Sequence, residues 1–255
     1  MSRTPTWGPL SPGRSEHPAG RAEKKGGRSR VTRGLPDRFC GGRRSGSATG
    51  SWPLARGGRG AGGCSGARLH EVLLAELRAA GLLDMDDASI DASHVRALKR
   101  GAHTGPSPVD RARPGSKHHL IVDRHGTPLV VSLTSGNRHD VTQLMPLLDA
   151  MPRIRGLRGR PRHRPRRLFA DRGYDFDKYR RQIRTRGITP KIARRGKPHG
   201  SGLAKTRWVV ERTFAWLHQF KRRLRIRYEI RADLHLGLLQ LACSIICLRR
   251  LRTSF

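Results

Sequence analysis

The sequence predicts an α/β domain built on a mixed sheet, preceded by a segment that cannot bury a core of its own. Three observations lead there. Residues 1 to 66 hold 16 of the 30 glycines and no window in which apolar residues recur at a helical or strand period. From Leu69 onward, patterned runs follow one another as helix, strand, hairpin, helix, strand, helix, strand and long helix, an alternation that places helices against a sheet. Two of the strand-like runs carry an aspartate at their ends, Asp91 and Asp171, where α/β folds keep their sites.

The first helix is read at Leu69 to Gly81, with Leu69, Val72, Leu73, Glu76 and Leu77 as its inward stripe and Gly81 as its stop. Ala88 to Arg96 is a strand candidate, and the Pro- and Gly-containing stretch Gly101 to Ser116 reads as a loop. His119-Leu120-Ile121-Val122-Asp123 and Pro128-Leu129-Val130-Val131-Ser132-Leu133 flank Arg124-His125-Gly126 as a hairpin, in which Asp123 serves the turn. Asp140 to Met151 is read as one helix, capped by Asp140, with Val141, Leu144, Leu147 and Leu148 on one face. Beyond the basic loop Arg153 to Pro165 come a strand ending at Asp171, a helix near 176–187, a strand at Ile188 to Ile192, a helix near 203–222 and an apolar helix from Ala232 to Leu251.

Charge narrows the partners. The chain has 53 Lys+Arg against 19 Asp+Glu, a net charge of +34, which repels itself unless a polyanion screens it. Nucleic acid is the expected partner; a codon-biased genome and a ribosome-associated protein are the competing explanations. The four cysteines form no CxxC pair and no zinc-ligand spacing, which suits a reducing cytoplasm. Leu234 to Leu248 falls short of the roughly 20 residues of a membrane span, and no apolar h-region follows the basic N-terminus, so a soluble, unexported, cytoplasmic protein is expected. Low hydrophobicity and high charge mark residues 1–67 as a disordered basic segment, with the folded domain at 68–255.

Acidic residues at the ends of apolar strands need a cation or hydrogen bonds, because a desolvated carboxylate is costly. Asp91 follows Ser89-Ile90, and Asp171 follows Leu168-Phe169-Ala170. Glu211 lies on the 203–222 helix beside a stripe of Val210, Phe214, Leu217 and Leu224, on a line with Arg207 and His218. Convergence of the three would offer hard oxygen ligands for Mg²⁺, with Mn²⁺ as the alternative, and a paired-ion site could drive in-line phosphodiester displacement. The competing reading is a set of capping or salt-bridged acids. Asp140, Asp175 and Asp177 are better explained by helix caps and turns.

The segments Ser89-Ile90-Asp91-Ala92-Ser93-His94-Val95-Arg96-Ala97, His119 to Gly126, Gly136-Asn137-Arg138-His139-Asp140, Phe169-Ala170-Asp171-Arg172-Gly173-Tyr174-Asp175 and Arg207-Trp208-Val209-Val210-Glu211-Arg212-Thr213-Phe214-Ala215-Trp216-Leu217 resemble, in order, the successive motifs of DDE transposases. The branch resembled is the insertion-sequence family five group, over about residues 68 to 255. The resemblance implies a ribonuclease-H-like fold, Asp91, Asp171 and Glu211 as catalytic and metal-binding residues, and DNA transposition. It also implies double-stranded DNA as partner, both terminal inverted repeats and target, and a homo-oligomer at the nucleoid. An inactive DNA-binding remnant and a non-transposing nuclease are the alternatives. The related signature Tyr-x2-Arg-x3-Glu-x6-Lys is met at Arg207 and Glu211, while Ala204 and His218 stand where its Tyr and Lys would be.

Arg207 and Arg212 are expected to flank substrate phosphates, with Lys221 in place of the missing Lys and His94 and Lys117 as further DNA contacts. His118 and His119 are read as surface residues, Trp208, Trp216 and Phe220 as core, and Cys243 and Cys247 as buried small hydrophobes. Basic clusters at Arg153 to Arg167, Arg180 to Arg195 and Lys221 to Arg227 are expected to neutralise phosphates. Relatives of that group usually carry a helical DNA-binding region upstream. Residues 1–67 are therefore either a genuine basic arm or the product of a shifted reading frame, with the native frame resuming near Arg68.

Overall fold

The computed structural model describes residues 65–196, 202, 204–220 and 224–253. The expected N-terminal segment falls outside them except for residues 65–67, and so does Lys221. Helix α1 (Ser65–Ala79) opens the described chain, and its inward face differs from the expected one. Leu74 and Leu77 are fully buried with His70, whereas Leu69 is 44% and Val72 57% exposed. The helix packs on the C-terminal helix α5 (Ala232–Arg252), and His70 Nε2 lies 2.8 Å from the Pro128 carbonyl. That polar anchor rotates the stripe, because two buried leucines at about 2–3 kcal/mol each and one satisfied imidazole outweigh the apolar residues left outside.

The sheet has seven strands among the described residues. They are β1 (Asp87–Ala97), β2 (Gly105–Pro106), β3 (Pro114–Asp123), β4 (Pro128–Ser135), β5 (Arg167–Ala170), β6 (Thr189–Ile192) and β7 (Ile226–Arg227). An antiparallel meander of β1, β3 and β4 continues on the other side of β1 into parallel β5 and then parallel β6. This order, β4-β3-β1-β5-β6, is a mixed sheet flanked by helices, and the α/β expectation holds. The hairpin holds too. Asp123 Oδ1 accepts from the backbone N–H groups of His125 (2.9 Å) and Thr127 (2.6 Å), and Gly126 takes φ +86°.

Two elements depart from the sequence reading. Strand β3 starts at Pro114, inside the expected loop, and pairs Gly115, Ser116 and Lys117 with Arg96, Val95 and His94 of β1. The expected helix from Asp140 splits into a 3-10 turn (Asp140–Gln143) and a short α2 (Leu144–Asp149). Pro146 has no N–H to donate back one turn, so a continuous α-helix loses a bond there. Asp140 does not cap; it pairs with Lys117 Nζ at 2.8 Å. The inward face of Val141, Leu144, Leu147 and Leu148 is buried as expected.

One core cluster lies under α1, α2 and α3 (Asp177–Thr185), with Ile90, Ile121, Leu168 and Ile183. The other lies under α4 (Ala204–Gln219) and α5, with Leu120, Val122, Val210, Leu217 and Cys243. By length and apolar composition α5 could cross a bilayer, but it packs on α1 and β4 and buries Leu239, Cys243 and Cys247. At the far end of β1, the buried Arg227 donates to five acceptors: the carbonyls of Ala102, His103, Glu229 and Ile230, and Ser116 Oγ. Every N–H of the guanidinium is thereby matched, as its burial requires.

Burial on both sheet faces also takes in histidines expected at the surface. His118 and His119 are fully buried, since β3 is central and covered on both sides. His235 Nδ1 stands 2.8 Å from Glu229 Oε2, and its Nε2 stands 2.9 Å from His118 Nε2. With Glu229 accepting from Nδ1–H, neutral His235 is left to accept from His118. His119 Nε2 bonds Thr134 Oγ1 at 2.7 Å. Burial pushes His70, His118 and His235 below the ordinary imidazole range, and His119 to about 4. A lowered folded pKa means that the unfolded chain binds more protons, so stability is complete above about pH 6.5 and declines as pH falls towards 4. Urea unfolding between pH 7.5 and 4.5 is expected to show a falling midpoint below pH 6.5; a flat midpoint would contradict the buried neutral histidines.

Candidate active site

The parallel ladder between β1 and β5 sets the site. It pairs Asp87 with Arg167, Ala88 with Leu168 and Ser89 with Phe169, and then ends. At the same offset, Asp91 falls opposite Asp171. Strand parity turns Ser89, Asp91 and Ser93 towards α4: Ser89 Oγ donates to the Thr206 carbonyl (3.4 Å), and Ser93 Oγ meets His218 Nε2 (3.5 Å). Asp91 is thus within β1, not at its end as the sequence suggested; what ends beside it is β5. Asp171 follows β5 directly and begins the 3-10 turn Arg172–Tyr174.

The electrostatics tie the three expected acids together. Burial raises the Asp91 carboxyl to about 6; the Ala92 N–H and the Arg207 guanidinium act against that rise, and the charges of Asp171 and Glu211 add to it. Arg207 Nη2 stands 3.4 Å from Asp91 Oδ2. Asp171 Oδ1 is buried with no hydrogen-bond partner, and so are the Tyr174 hydroxyl and Arg207 Nε. Tyr174 carries no functional signal in the sequence beyond its place as a large polar side chain three residues after Asp171. Gly173 lets the turn fold back, since a Cβ there would stand 3.0 Å from Asp171 Oδ1.

Glu211 lies one helical turn beyond Arg207 on α4 and is exposed. Among the described residues, no three His, Cys, Asp or Glu side chains stand close enough to hold one ion. The three expected acids therefore do not form one close three-ligand cluster among the described residues. Asp91 and Asp171 nevertheless suit a hard divalent cation, which is often held by one or two carboxylates with water and substrate phosphate. The partnerless Asp171 Oδ1 is a donor atom without a present use.

Other expected contacts are reassigned. Lys117 is 5% exposed and donates to Asp140 Oδ1 and the Arg138 carbonyl, both at 2.8 Å, so it is committed to the interior. His94 lies beside it, half-buried, with Nδ1 3.4 Å from Ser107 Oγ. Arg212 turns to the hairpin, donating to the His125 carbonyl at 2.6 Å between the rings of Trp208 and Trp216. Trp208 is 49% exposed, contrary to its expected place in the core, because it lies outside the Val210, Phe214, Leu217 stripe. Several arginines of the expected phosphate-binding clusters pair internally: Arg162 with Asp86, Arg167 with Asp87, Arg180 with Asp175, Arg186 with Asp149.

A carboxyl raised to about 6 is strained as an anion at neutral pH: the stability it offers below its unfolded value is lost as pH rises through the folded one. Asp91→Asn is therefore expected to raise the melting temperature of the metal-free chain at pH 7.5 by about 2–4 °C, the size of a 1 kcal/mol change in a domain of this length. A fall in melting temperature would show that the Arg207 pair outweighs the crowding of carboxylates.

A family model described as the transposase DDE domain matches residues 83–247. A Burkholderia cepacia protein assigned as a transposase of insertion sequence element IS402 is 63% identical over 151 residues, 59% of this chain and 71% of that protein. The transposase of insertion sequence element IS1106 from Neisseria meningitidis serogroup B is 29% identical over 124 residues, 45% of this chain and 39% of its own length. Among solved structures, the Mos1 mariner paired end complex with Mn aligns at TM-score 0.34 and 12% identity, over 71% of this chain and 61% of that one. With the family model spanning most of the chain and the IS402 relative so close in sequence, the chain belongs to the DDE transposases of bacterial insertion sequences.

Proposed function

We propose that residues 68–255 cleave DNA at the terminal inverted repeats of an insertion sequence and join the freed 3′-hydroxyls to target DNA, using Asp91, Asp171 and Glu211. The observation that carries this reading is the register that brings Asp91 opposite Asp171 where β5 stops, with an unused carboxylate oxygen at that point. DNA transposition is the activity of the family, and it depends on a divalent ion. Mg²⁺ is the proposed ion, with Mn²⁺ able to replace it, and Asp91 and Asp171 would hold it. When bound, such an ion activates the attacking oxygen and stabilises the leaving one in an in-line displacement at phosphorus.

The chain's own residues do the rest. Arg207 steadies Asp91 and directs its remaining guanidinium donors at the strand's phosphate, a geometry to which the arginine fork is suited. Glu211, one turn beyond Arg207 on α4, would complete the acidic set, its charge already acting on Asp91. The exposed arginines of the 153–165 loop, together with the net charge of +34, would draw duplex DNA to the surface. Lys221 stays the candidate for the missing lysine of the signature, and a homo-oligomer holding two DNA ends is the proposed working assembly in the cytoplasm.

The test is cleavage and strand transfer by the purified chain on labelled DNA containing the flanks of its own gene, with Mg²⁺ or Mn²⁺. Product is expected from the parent and none from Asp171→Ala; binding without product in both would sink the reading. Because protons compete with the ion for a carboxyl near 6, the rate is expected to fall below about pH 6. DNA affinity is expected to drop by orders of magnitude between 50 and about 200 mM salt if several phosphates are contacted.

A further inference from the structure

We propose that Tyr174 is a positioning residue of the active site, its hydroxyl donating to the Asp171 carboxylate when that carboxylate holds a divalent ion. The proposal rests on the site reading above and adds a residue to it. Tyr174 is among the largest fully buried side chains, 1% exposed, and its hydroxyl has no hydrogen-bond partner. A buried hydroxyl left unpaired costs about 1–3 kcal/mol, so phenylalanine at this position would be the more stable choice for a purely structural ring. Asp171 Oδ1, three residues earlier on the same turn, is the matching acceptor, also buried and also unused.

The turn holds the two groups in one frame. Asp171 accepts the Tyr174 backbone N–H through its carbonyl at 3.2 Å, and Gly173 leaves room for the carboxylate to lie back over the turn. The phenol is kept protonated, because burial, then the charges of Asp91, Asp140 and Asp171, push its titration far up. Its O–H is therefore available as a donor at every working pH. Carboxylates that ligate an ion commonly have their remaining oxygen lone pairs fixed by such a neighbour, and losing one costs 10–100-fold in metal affinity or activity.

The experiment compares the full chain with Tyr174→Phe and Asp171→Asn in three readouts: melting temperature without metal, Mn²⁺ binding by paramagnetic resonance, and the Mn²⁺ concentration giving half-maximal cleavage. Tyr174→Phe is expected to melt at or above the parent temperature, to bind Mn²⁺ about 10–100-fold more weakly, and to need correspondingly more Mn²⁺ for cleavage. Its KM for DNA is expected to stay unchanged at saturating Mn²⁺. Unaltered Mn²⁺ binding in Tyr174→Phe, with Asp171→Asn impaired, would overturn the positioning role and leave the site reading intact. A lower metal-free melting temperature would overturn it as well, because the hydroxyl would then already have a partner. Equal Mn²⁺ binding by the parent and Asp171→Asn would instead sink the site reading, and this proposal with it.

Discussion

The ladder between β1 and β5 is short, and its ending is what the site depends on. Only Asp87 to Ser89 pair with Arg167 to Phe169, and the next polar residues along that offset are the two aspartates. A one-residue slip would turn one of them to the opposite face of the sheet, since side chains alternate along a strand. Two features hold the register. Asp87 is bound by the Arg167 guanidinium at the ladder's start, and Leu168 and Ala170 insert into the core beneath α2 and α3. The position of two carboxylates is therefore decided by apolar packing on one side of the sheet and an ion pair at its edge, neither of which takes part in the chemistry.

Helix α4 is the second element on which the geometry turns. Val210, Phe214 and Leu217 fix it on the sheet, and Thr213 Oγ1 donates to the Gly126 carbonyl at 2.8 Å, tying it to the β3–β4 turn. Arg212, lying between two indoles and bonded to His125, adds a cation–π hold on the same turn. The helix thus presents opposite flanks to different tasks: Arg212 and Thr213 to the hairpin, Arg207 to Asp91. The pairing of neighbouring residues with different partners explains why a sequence motif lumps together residues with unlike roles.

Much of the fold was legible in the sequence because it rests on local chemistry. The β3–β4 hairpin was visible from its β-branched runs and from an aspartate and glycine suited to the turn, and the α4 stripe from its apolar spacing. Local reading failed where a distant partner decided the outcome. The face of α1 follows from α5 and from a carbonyl at Pro128; the split at Asp140 follows from Pro146 and from a lysine on β3. His118 and His119 read as polar and therefore exposed, but a strand between two neighbours and two layers has no exposed face to give them. The candidate acids were visible as residues at strand ends and in ordered motifs. Their adjacency was not, because it depends on a pairing offset between strands joined by a long crossover. Tyr174 was hidden for another reason: a buried tyrosine reads as core until its hydroxyl is seen to be unpaired.

Arg227 gives the far corner of the domain a particular mechanical character. One rigid, planar group gathers the 101–103 loop, β3 and the 226–230 segment, and Gly101 lets the Ile230 carbonyl approach to where a Cβ would stand 2.2 Å away. Five bonds that share a single cation cannot be released one at a time, because each partial release leaves a buried charge less satisfied than before. The lead-in to α5 is therefore clamped against the end of β1 by a charge that is costly to leave unpaired, which makes this corner a stiff point of the domain.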